Sequence, residues 1–231
     1  MREQPEQQAP PVQRLRIRYA KRGRLRFTSH RDFSRAFERA LVRARVPMAY
    51  SSGFHPHPRI SYAGAAPTGS ASEAEFLEIG LAERLDPAAV RDTLDAAMPD
   101  GLDVIAVAES PGGALAELLT ASRWRLDTTA APEVLESAVA AFLAADSVLV
   151  ERMTKKGLRE FDSRGAVASL SVSGASLDLV LVHAVPAVRP DDVLTGLRLV
   201  GGLDAGTAPL LTRLEQGVLD VDSGEVREPF A

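Results

Sequence analysis

Residues 14–62 read RLRIRYAKRGRLRFTSHRDFSRAFERALVRARVPMAYSSGFHPHPRISY, and the interpretation of the rest of the chain depends on this stretch. It contains thirteen basic residues but only two acidic ones, Asp32 and Glu38, so its formal charge is +11. The whole chain carries −4, which leaves −15 for the other residues. Such a separation of charge is typical of proteins with a surface that binds a polyanion.

Arginine alternates with apolar residues at the start of this stretch. Between residues 14 and 19 every second residue is arginine, and leucine, isoleucine and tyrosine stand between them. A period of two predicts a strand with one apolar face and one arginine face. After a turn at Lys21–Gly23, Leu25 and Phe27 continue the pattern. The arginines could simply solvate an outer strand face, but six arginines without an acid among them favour a binding face.

An amphipathic helix follows. Ser29 can cap its first turn, and Asp32, three residues later, suits both a capping box and the positive end of the helix dipole. Apolar residues then recur with helical spacing until Pro47 ends the helix. Four arginines, each four residues from the next, occupy another face, and Glu38 can pair with only one or two of them. These four are Arg31, Arg35, Arg39 and Arg43.

The loop after this helix contains Gly53 and two prolines, which exclude a regular element. Because the prolines stand at alternate positions, they predict an extended backbone that directs His55, His57 and Arg59 to similar sides. A long ordered loop beside a basic helix is a common place for a binding site. We therefore expect these three residues and Phe54 to contact a ligand.

The order of predicted elements indicates the fold class. Residues 12–109 read strand, helix, strand, strand, helix, strand, which is the ferredoxin-like, or split βαβ, pattern. Residues 110–118 begin with Ser-Pro-Gly-Gly and predict a linker. Residues 119–231 predict a second α+β domain with an acidic C-terminal tail, and residues 1–11 a disordered tail. The sequence thus predicts an α+β protein of two ferredoxin-like units, each with an antiparallel sheet packed by helices.

Composition excludes several classes of site. Hydrophobic residues make up 45% of the 231 residues, enough for a packed core. The chain has no cysteine, so it can supply no disulfide, no zinc–thiolate site and no thiolates for an iron–sulfur cluster. It also shows no eighteen-residue apolar run and no apolar signal-peptide core. We therefore expect a cytoplasmic protein that does not bind membranes and carries no cofactor.

Three histidines are the candidates for catalysis or metal binding. His30, His55 and His57 could meet in space, and imidazoles can ligate a metal or act as general acid and base beside arginine. However, His-x-His in a proline-rich loop is a weak metal signal, and no residue in the sequence orients one histidine against a nucleophile. The sequence therefore predicts no metal site and leaves catalysis open.

Nucleic-acid contact explains the basic residues best. Arginines can clamp phosphates, while a rigid loop with an aromatic ring can stack a few bases. A smaller basic group near residue 155 could contribute, although it could equally be a solvated hairpin turn. The predicted nucleic-acid-binding residues are Arg16, Arg18, Arg24, Arg26, Arg31, Arg35, Arg39, Arg43, Phe54, Arg59, Lys155 and Lys156.

Several motifs together resemble a bacterial family of unknown biochemical role, the radical-SAM-associated domain of unknown function. They are the Ser29-His30-Arg31-Asp32 helix start, Arg39-Ala40-Leu41, Tyr50-Ser51, Gly53-Phe54-His55-Pro56-His57-Pro58, Gly69 through Glu75, and Lys155-Lys156-Gly157 to Asp162 with Arg164. The resemblance covers most of the chain after the tail. It implies an accessory role beside a radical-SAM enzyme, with any cluster chemistry in that separate partner.

Three functions remain as hypotheses. The first is an RNA-binding accessory module that presents tRNA or rRNA to a separate radical-SAM-type enzyme, and it fits the sequence better than a catalytic role. The second is a metal-independent RNA-processing enzyme that uses His30, His55 or His57. The third is a protein–protein adaptor whose basic face docks an acidic partner.

Overall fold

The computed structural model describes residues 7–155, 157–206 and 209–230. The protein is a mixed α+β protein, and its described residues form four α-helices and eleven strands. They divide into two compact units with a boundary between Glu117 and Leu118, and Phe230 groups with the first unit. This boundary lies at the end of the predicted 110–118 linker.

The first unit follows the predicted order of elements. It contains β1 (Gln13–Lys21), α1 (His30–Arg43), β2 (Ile60–Ala63), β3 (Ala71–Leu81), α2 (Pro87–Ala97) and β4 (Val104–Glu109). The strands lie in the order β4–β1–β3–β2, and every pair is antiparallel. In register, Ile17 stands opposite Leu77 on β3 and Val107 on β4, so β1 is an inner strand of this sheet.

Both helices of the first unit cover one face of its sheet. Leu15, Ile17 and Leu77 of the sheet are fully buried and belong to one core with residues of α1 and α2. The Tyr19 ring stacks on Phe33 of α1, with ring centroids 4.2 Å apart. Burial of this side of α1 leaves its opposite side at the surface.

The prediction that Leu25 and Phe27 continue the strand pattern is wrong. Gly23–Phe27 is a 3₁₀ helix, in which Leu25 N donates to Arg22 O and Thr28 N to Leu25 O, both at 2.9 Å. A strand here would need a buried face, but the Phe27 side chain remains exposed. The short segment therefore satisfies its backbone locally.

Of the predicted tail, residues 1–6 lie outside the described residues, and residues 7–11 form neither helix nor strand. Gln8 N donates to Ser52 Oγ at 2.9 Å. The described end of the tail therefore contacts the loop that follows α1.

The second unit repeats the same strand order with an inserted hairpin. Its elements are β5 (Ala121–Asp127), α3 (Pro132–Ala144), β6 (Leu149–Thr154), β7 (Gly157–Asp162), β8 (Val167–Ser173), β9 (Ser176–Val182), α4 (Pro190–Gly201), β10 (Leu210–Leu219) and β11 (Val226–Arg227). The sheet order is β10–β5–β9–β8, all antiparallel, with β11 beside β10. β6 and β7 form a separate two-stranded hairpin.

The sequence did not predict β10, which lies in the acidic C-terminal tail. Arg213 and Gln216 are buried in this strand, so polar residues occupy positions where a half-buried strand usually has apolar ones. The usual alternation of apolar and polar residues is therefore missing.

Candidate nucleic-acid interface

The arginine face of α1 is the most exposed basic surface of the first unit. Ser29 caps the helix by accepting from Asp32 N at 3.2 Å, and the apolar side is fixed by buried Phe33 and Phe37. An i+4 step along a helix advances about 6 Å, so four arginines at this spacing form a row about 18 Å long. This row, named here the arginine face, consists of Arg31, Arg35, Arg39 and Arg43, all exposed.

Most of the arginine face takes no part in holding the fold together. In the part of the chain that the structure describes, Arg31, Arg35 and Arg39 have no hydrogen-bond or ion-pair partner. Arg43 donates to the carbonyl oxygen of Ala97 at the end of α2. Glu38, an exposed carboxylate in the middle of the helix, forms no ion pair with a described residue either.

Most arginines elsewhere in the described part of the unit are paired. Arg14 donates to Glu78 at 3.0 Å, and Arg84 pairs with Glu109 at 3.2 Å. Arg22 is held by two acids, Glu73 and Asp103. The unpaired arginines are therefore concentrated on α1, although Arg24 and Arg45 outside the helix are also unpaired among the described residues.

Arg16 is not on the surface. Its side chain is 0% exposed and donates to Glu78 Oε2 at 3.4 Å and to Gly112 O at 2.6 Å. The prediction of an exposed arginine face on β1 is wrong at this position, because the 110–113 segment and Glu78 enclose it. Arg18 is half-buried and donates to Glu73 O at 2.7 Å.

Glu78 balances the buried charge of Arg16. Burial alone would raise the pKa of this carboxyl, but hydrogen bonds from Ser110, Arg14 and Arg16 outweigh it. The pKa of Glu78 therefore lies below its ordinary value. The buried Arg16–Glu78 pair is part of the fold, not of a binding surface.

The 3₁₀ helix contributes one exposed arginine. Arg24 is exposed and has no partner among the described residues. Arg26 is half-buried, donates to Gly23 O at 3.3 Å and stacks over the Phe27 ring, with its guanidinium carbon 4.4 Å from the centroid. Arg24 is thus available to a ligand, whereas Arg26 is already engaged.

The loop of residues 51–59, named here the reading loop, is a closed turn with an aromatic tip. Ser51 N donates to His57 O at 2.9 Å, and His57 N donates to Ser51 Oγ at 3.0 Å. Arg59 is half-buried, and its Nε donates to Tyr50 O at 3.1 Å at the base of the loop. The Phe54 side chain is 59% exposed at the tip. The loop therefore presents an aromatic ring on a fixed base, while Arg59 supports the base.

Two grooves flank the exposed side of α1. A groove of about 790 Å³ lies between α1 and the end of α2 and includes Arg39 and Arg43. A second groove, of about 330 Å³, lies between α1 and the base of the reading loop. It is named here the loop groove and is lined by Glu38, Leu41, Val42, Arg45, Val46, Met48, Tyr50 and Pro58.

Arg45 lines both grooves, and sequence reasoning did not single it out. It is the one described non-glycine residue with a positive φ, +52°, and it stands just after the Ala44 cap of α1. Helices commonly place glycine at this position because L-residues are strained there. An arginine where glycine is favoured is the sequence signal that could have identified it.

The structure does not assemble the three candidate histidines into a reactive site. None of the imidazoles of His30, His55 and His57 has a hydrogen-bond partner among the described side chains, and His30 instead packs edge-on against the Tyr62 ring. No group of three or more metal-ligating side chains occurs within the described ranges. Nothing there orients a histidine as a base.

The second basic group lies on the β6–β7 hairpin. Lys155 is exposed at its tip, and the neighbouring candidate, Lys156, lies outside the described residues. Arg159 is also exposed, and Arg164 is half-buried.

One serine–histidine pair does occur, in the second unit. His183 Nδ1 lies 2.7 Å from Leu119 O, which can only accept, so Nε2 accepts from Ser122 Oγ at 2.9 Å. Trp124 Nε1 donates to the same hydroxyl at 2.8 Å. Partial desolvation of the imidazole lowers the pKa of His183, although the residue reaches the surface, and Ser122 is only 1% exposed. The Ser122 hydroxyl is therefore enclosed, and the pair supports the fold.

Comparison with known proteins places the chain in a family. No helix in the described part of the chain is long and apolar enough to cross a membrane. No curated protein matches the sequence. Residues 14–190, which include the arginine face, the reading loop and both sheets as far as α4, match the family described as uncharacterized protein conserved in bacteria (DUF2344). The chain therefore belongs to this bacterial family.

Proposed function

We propose that this protein is an RNA-binding accessory module that holds RNA on the arginine face. The observation that carries the proposal is that Arg31, Arg35 and Arg39 are exposed and unpaired within the described chain, while most other arginines of the unit are paired. Solvating a helix requires far fewer charges of one sign, and unpaired arginines four residues apart repel each other. A row of phosphates would remove that repulsion.

The reading loop supports RNA as the polyanion. Phe54 and Tyr50 expose aromatic rings, 59% and 45%, close in sequence to the basic helix. Unpaired bases stack on such rings, and RNA-binding proteins commonly combine stacking with phosphate contacts. We therefore infer that the bound segment is a single-stranded loop or end of a structured RNA, such as tRNA or rRNA.

The fold supports the same assignment. Each unit has the strand order 4–1–3–2 in an antiparallel sheet, if the β6–β7 hairpin is counted as an insertion. We propose that both are ferredoxin-like units. Since fold does not determine function, this assignment adds only that the scaffold is compatible with RNA binding.

We further propose that the RNA is presented to a separate radical-SAM-type enzyme. The family resemblance of the motifs supports this step. Because the chain has no cysteine, thiolates for an iron–sulfur cluster would come from the partner enzyme.

The test is a salt series of RNA binding measured by fluorescence anisotropy. If four arginines contact a single strand, the logarithm of the binding constant should fall with log salt at a slope of about −2.8. The variant Arg31→Ala/Arg35→Ala/Arg39→Ala should reduce this slope by about 2.

A matched control removes three exposed arginines elsewhere. Its substitutions are Arg84→Ala, Arg125→Ala and Arg198→Ala. The control has the same net charge as the first variant and should retain most of the affinity and slope. Equal losses in both variants, or binding that does not respond to salt, would contradict the proposal. Tight capture of an acidic protein that persists after nuclease treatment would support the adaptor instead.

A further inference from the structure

The loop groove combines an apolar wall with two opposite charges. Leu41, Val42 and Val46 of α1 and its end face Tyr50 and Pro58 at the base of the loop. A volume of about 330 Å³ accommodates one flat heterocycle with its hydration. Its wall thus suits the apolar face of a base, and any specificity has to come from the charged groups.

Those charged groups are Glu38 and Arg45. Both line the groove, and neither makes an ion pair with any residue that the structure describes. A carboxylate on a surface that binds phosphates weakens that binding by repulsion. Glu38 also lacks a partner within the helix. The residue four positions later is Val42, and Glu38 forms no ion pair with Arg35, three positions earlier.

We propose that Glu38 and Arg45 recognise an unpaired base that carries an exocyclic amino group beside a ring-nitrogen acceptor, cytosine or adenine, in the loop groove. This inference rests on the proposed RNA-binding function. The amino group would donate to the Glu38 carboxylate, as carboxylates accept from the N4 amino group of cytosine. Arg45 would donate to the acceptor beside it, the N3 ring nitrogen of cytosine or the N1 ring nitrogen of adenine.

Uracil fits this pair of side chains poorly. It has a carbonyl oxygen where cytosine has its amino group, and this oxygen would face the Glu38 carboxylate without a proton between them. Burying an unpaired acceptor against a carboxylate costs affinity. The backbone of Arg45 fits the same role, since its φ of +52° holds the residue at the groove in a conformation that arginine seldom adopts.

The experiment compares oligouridine, eight nucleotides long, with the same oligonucleotide carrying one central cytidine, adenosine or inosine. Inosine has a carbonyl oxygen where adenosine has its amino group. Wild-type protein should bind the cytidine oligonucleotide about five- to a hundredfold more tightly than oligouridine. Adenosine should likewise be preferred over inosine.

Glu38→Gln is the decisive variant. It should bind oligouridine more tightly than wild type, because a repulsive charge is removed, and it should reduce the cytidine preference to less than about twofold. The matched control, Glu83→Gln, removes an exposed carboxylate in the turn after β3 and should leave the preference intact.

The outcomes separate the inference from the function on which it rests. Salt-dependent binding with equal affinity for all four oligonucleotides would overturn the base recognition but not RNA binding. A uniform gain for every oligonucleotide in Glu38→Gln would likewise overturn it, because Glu38 would then act only by repulsion. Absence of binding to any RNA would overturn the proposed function itself.

Discussion

Replacing Arg45 with glycine should separate stability from binding. Arg45 has a φ of +52° immediately after α1, in the left-handed region that glycine tolerates and L-residues do not. Its side chain lines both grooves and has no hydrogen-bond partner among the described residues. Glycine would therefore relieve backbone strain without removing a bond that holds the fold.

Two opposing terms set the size of the stability change. The left-handed conformation costs an L-residue about 1–2 kcal/mol. Glycine also gains entropy in the unfolded chain, which offsets about 0.4–1 kcal/mol of this relief. The Arg45→Gly variant should thus be as stable as wild type or more stable by about 1 kcal/mol. Arg45→Ala keeps the strain and should be less stable than Arg45→Gly.

Binding should change in the other direction. Both variants lose the guanidinium that would donate to the base, so RNA binding should weaken by about 1–3 kcal/mol, whereas the slope against log salt, which counts phosphate contacts, should stay close to that of wild type. Urea denaturation followed by circular dichroism measures stability, and fluorescence anisotropy measures binding. A loss of more than about 1 kcal/mol in Arg45→Gly would refute the reasoning, because it would show that the Arg45 side chain packs in the fold. Unchanged affinity would refute its role in binding.

Three further predictions concern the core pair and the loop. Arg16→Met leaves the Glu78 carboxylate buried beside fewer donors and should lower the free energy of unfolding, measured in urea, by about 3 kcal/mol. Stability equal to wild type would show that Arg14 and Ser110 are enough to stabilise the buried carboxylate. Because the folded pKa of Glu78 is lowered, its contribution to stability should be complete above the unfolded pKa of about 4.3 and be lost as pH falls through the folded pKa. As the pH is lowered from 7 to 3, the urea midpoint should therefore fall less steeply in Glu78→Gln than in wild type. Identical pH profiles of the two proteins would contradict this. Phe54→Ala should weaken RNA binding, measured by fluorescence anisotropy, by about 1–3 kcal/mol and leave stability unchanged. An affinity equal to that of wild type would exclude stacking of a base on this ring.

The sequence predicted the elements that have strong local signals. α1 begins at Ser29 and buries Phe33 and Phe37 as its spacing indicates, because cap chemistry and a 3.6-residue period are both local. Residues 167–172 and 177–183 alternate between apolar and polar around Gly174, which predicts a hairpin, and the β8–β9 hairpin does turn at Gly174, whose φ of +61° suits glycine. The arginine face follows directly from the same helical period.

Features set by distant contacts could not be predicted. The alternation around Arg16 shows a strand but not that residues 110–113 cover its second face. The strand β10 has buried Arg213 and Gln216, so its pattern resembles an irregular tail. The loop groove needs α1 and the base of the reading loop to meet, and Arg45 gains meaning only from its backbone conformation.

The most direct test of RNA binding by the arginine face is ultraviolet crosslinking in native cells, followed by mass spectrometry of the crosslinked peptides. The method recovers RNA and protein from one sample and locates the modified residues. Binding by the arginine face and reading loop predicts one enriched RNA class with adducts between residues 31 and 59. Adducts confined to the second unit, or recovery of a protein partner without RNA, would contradict it.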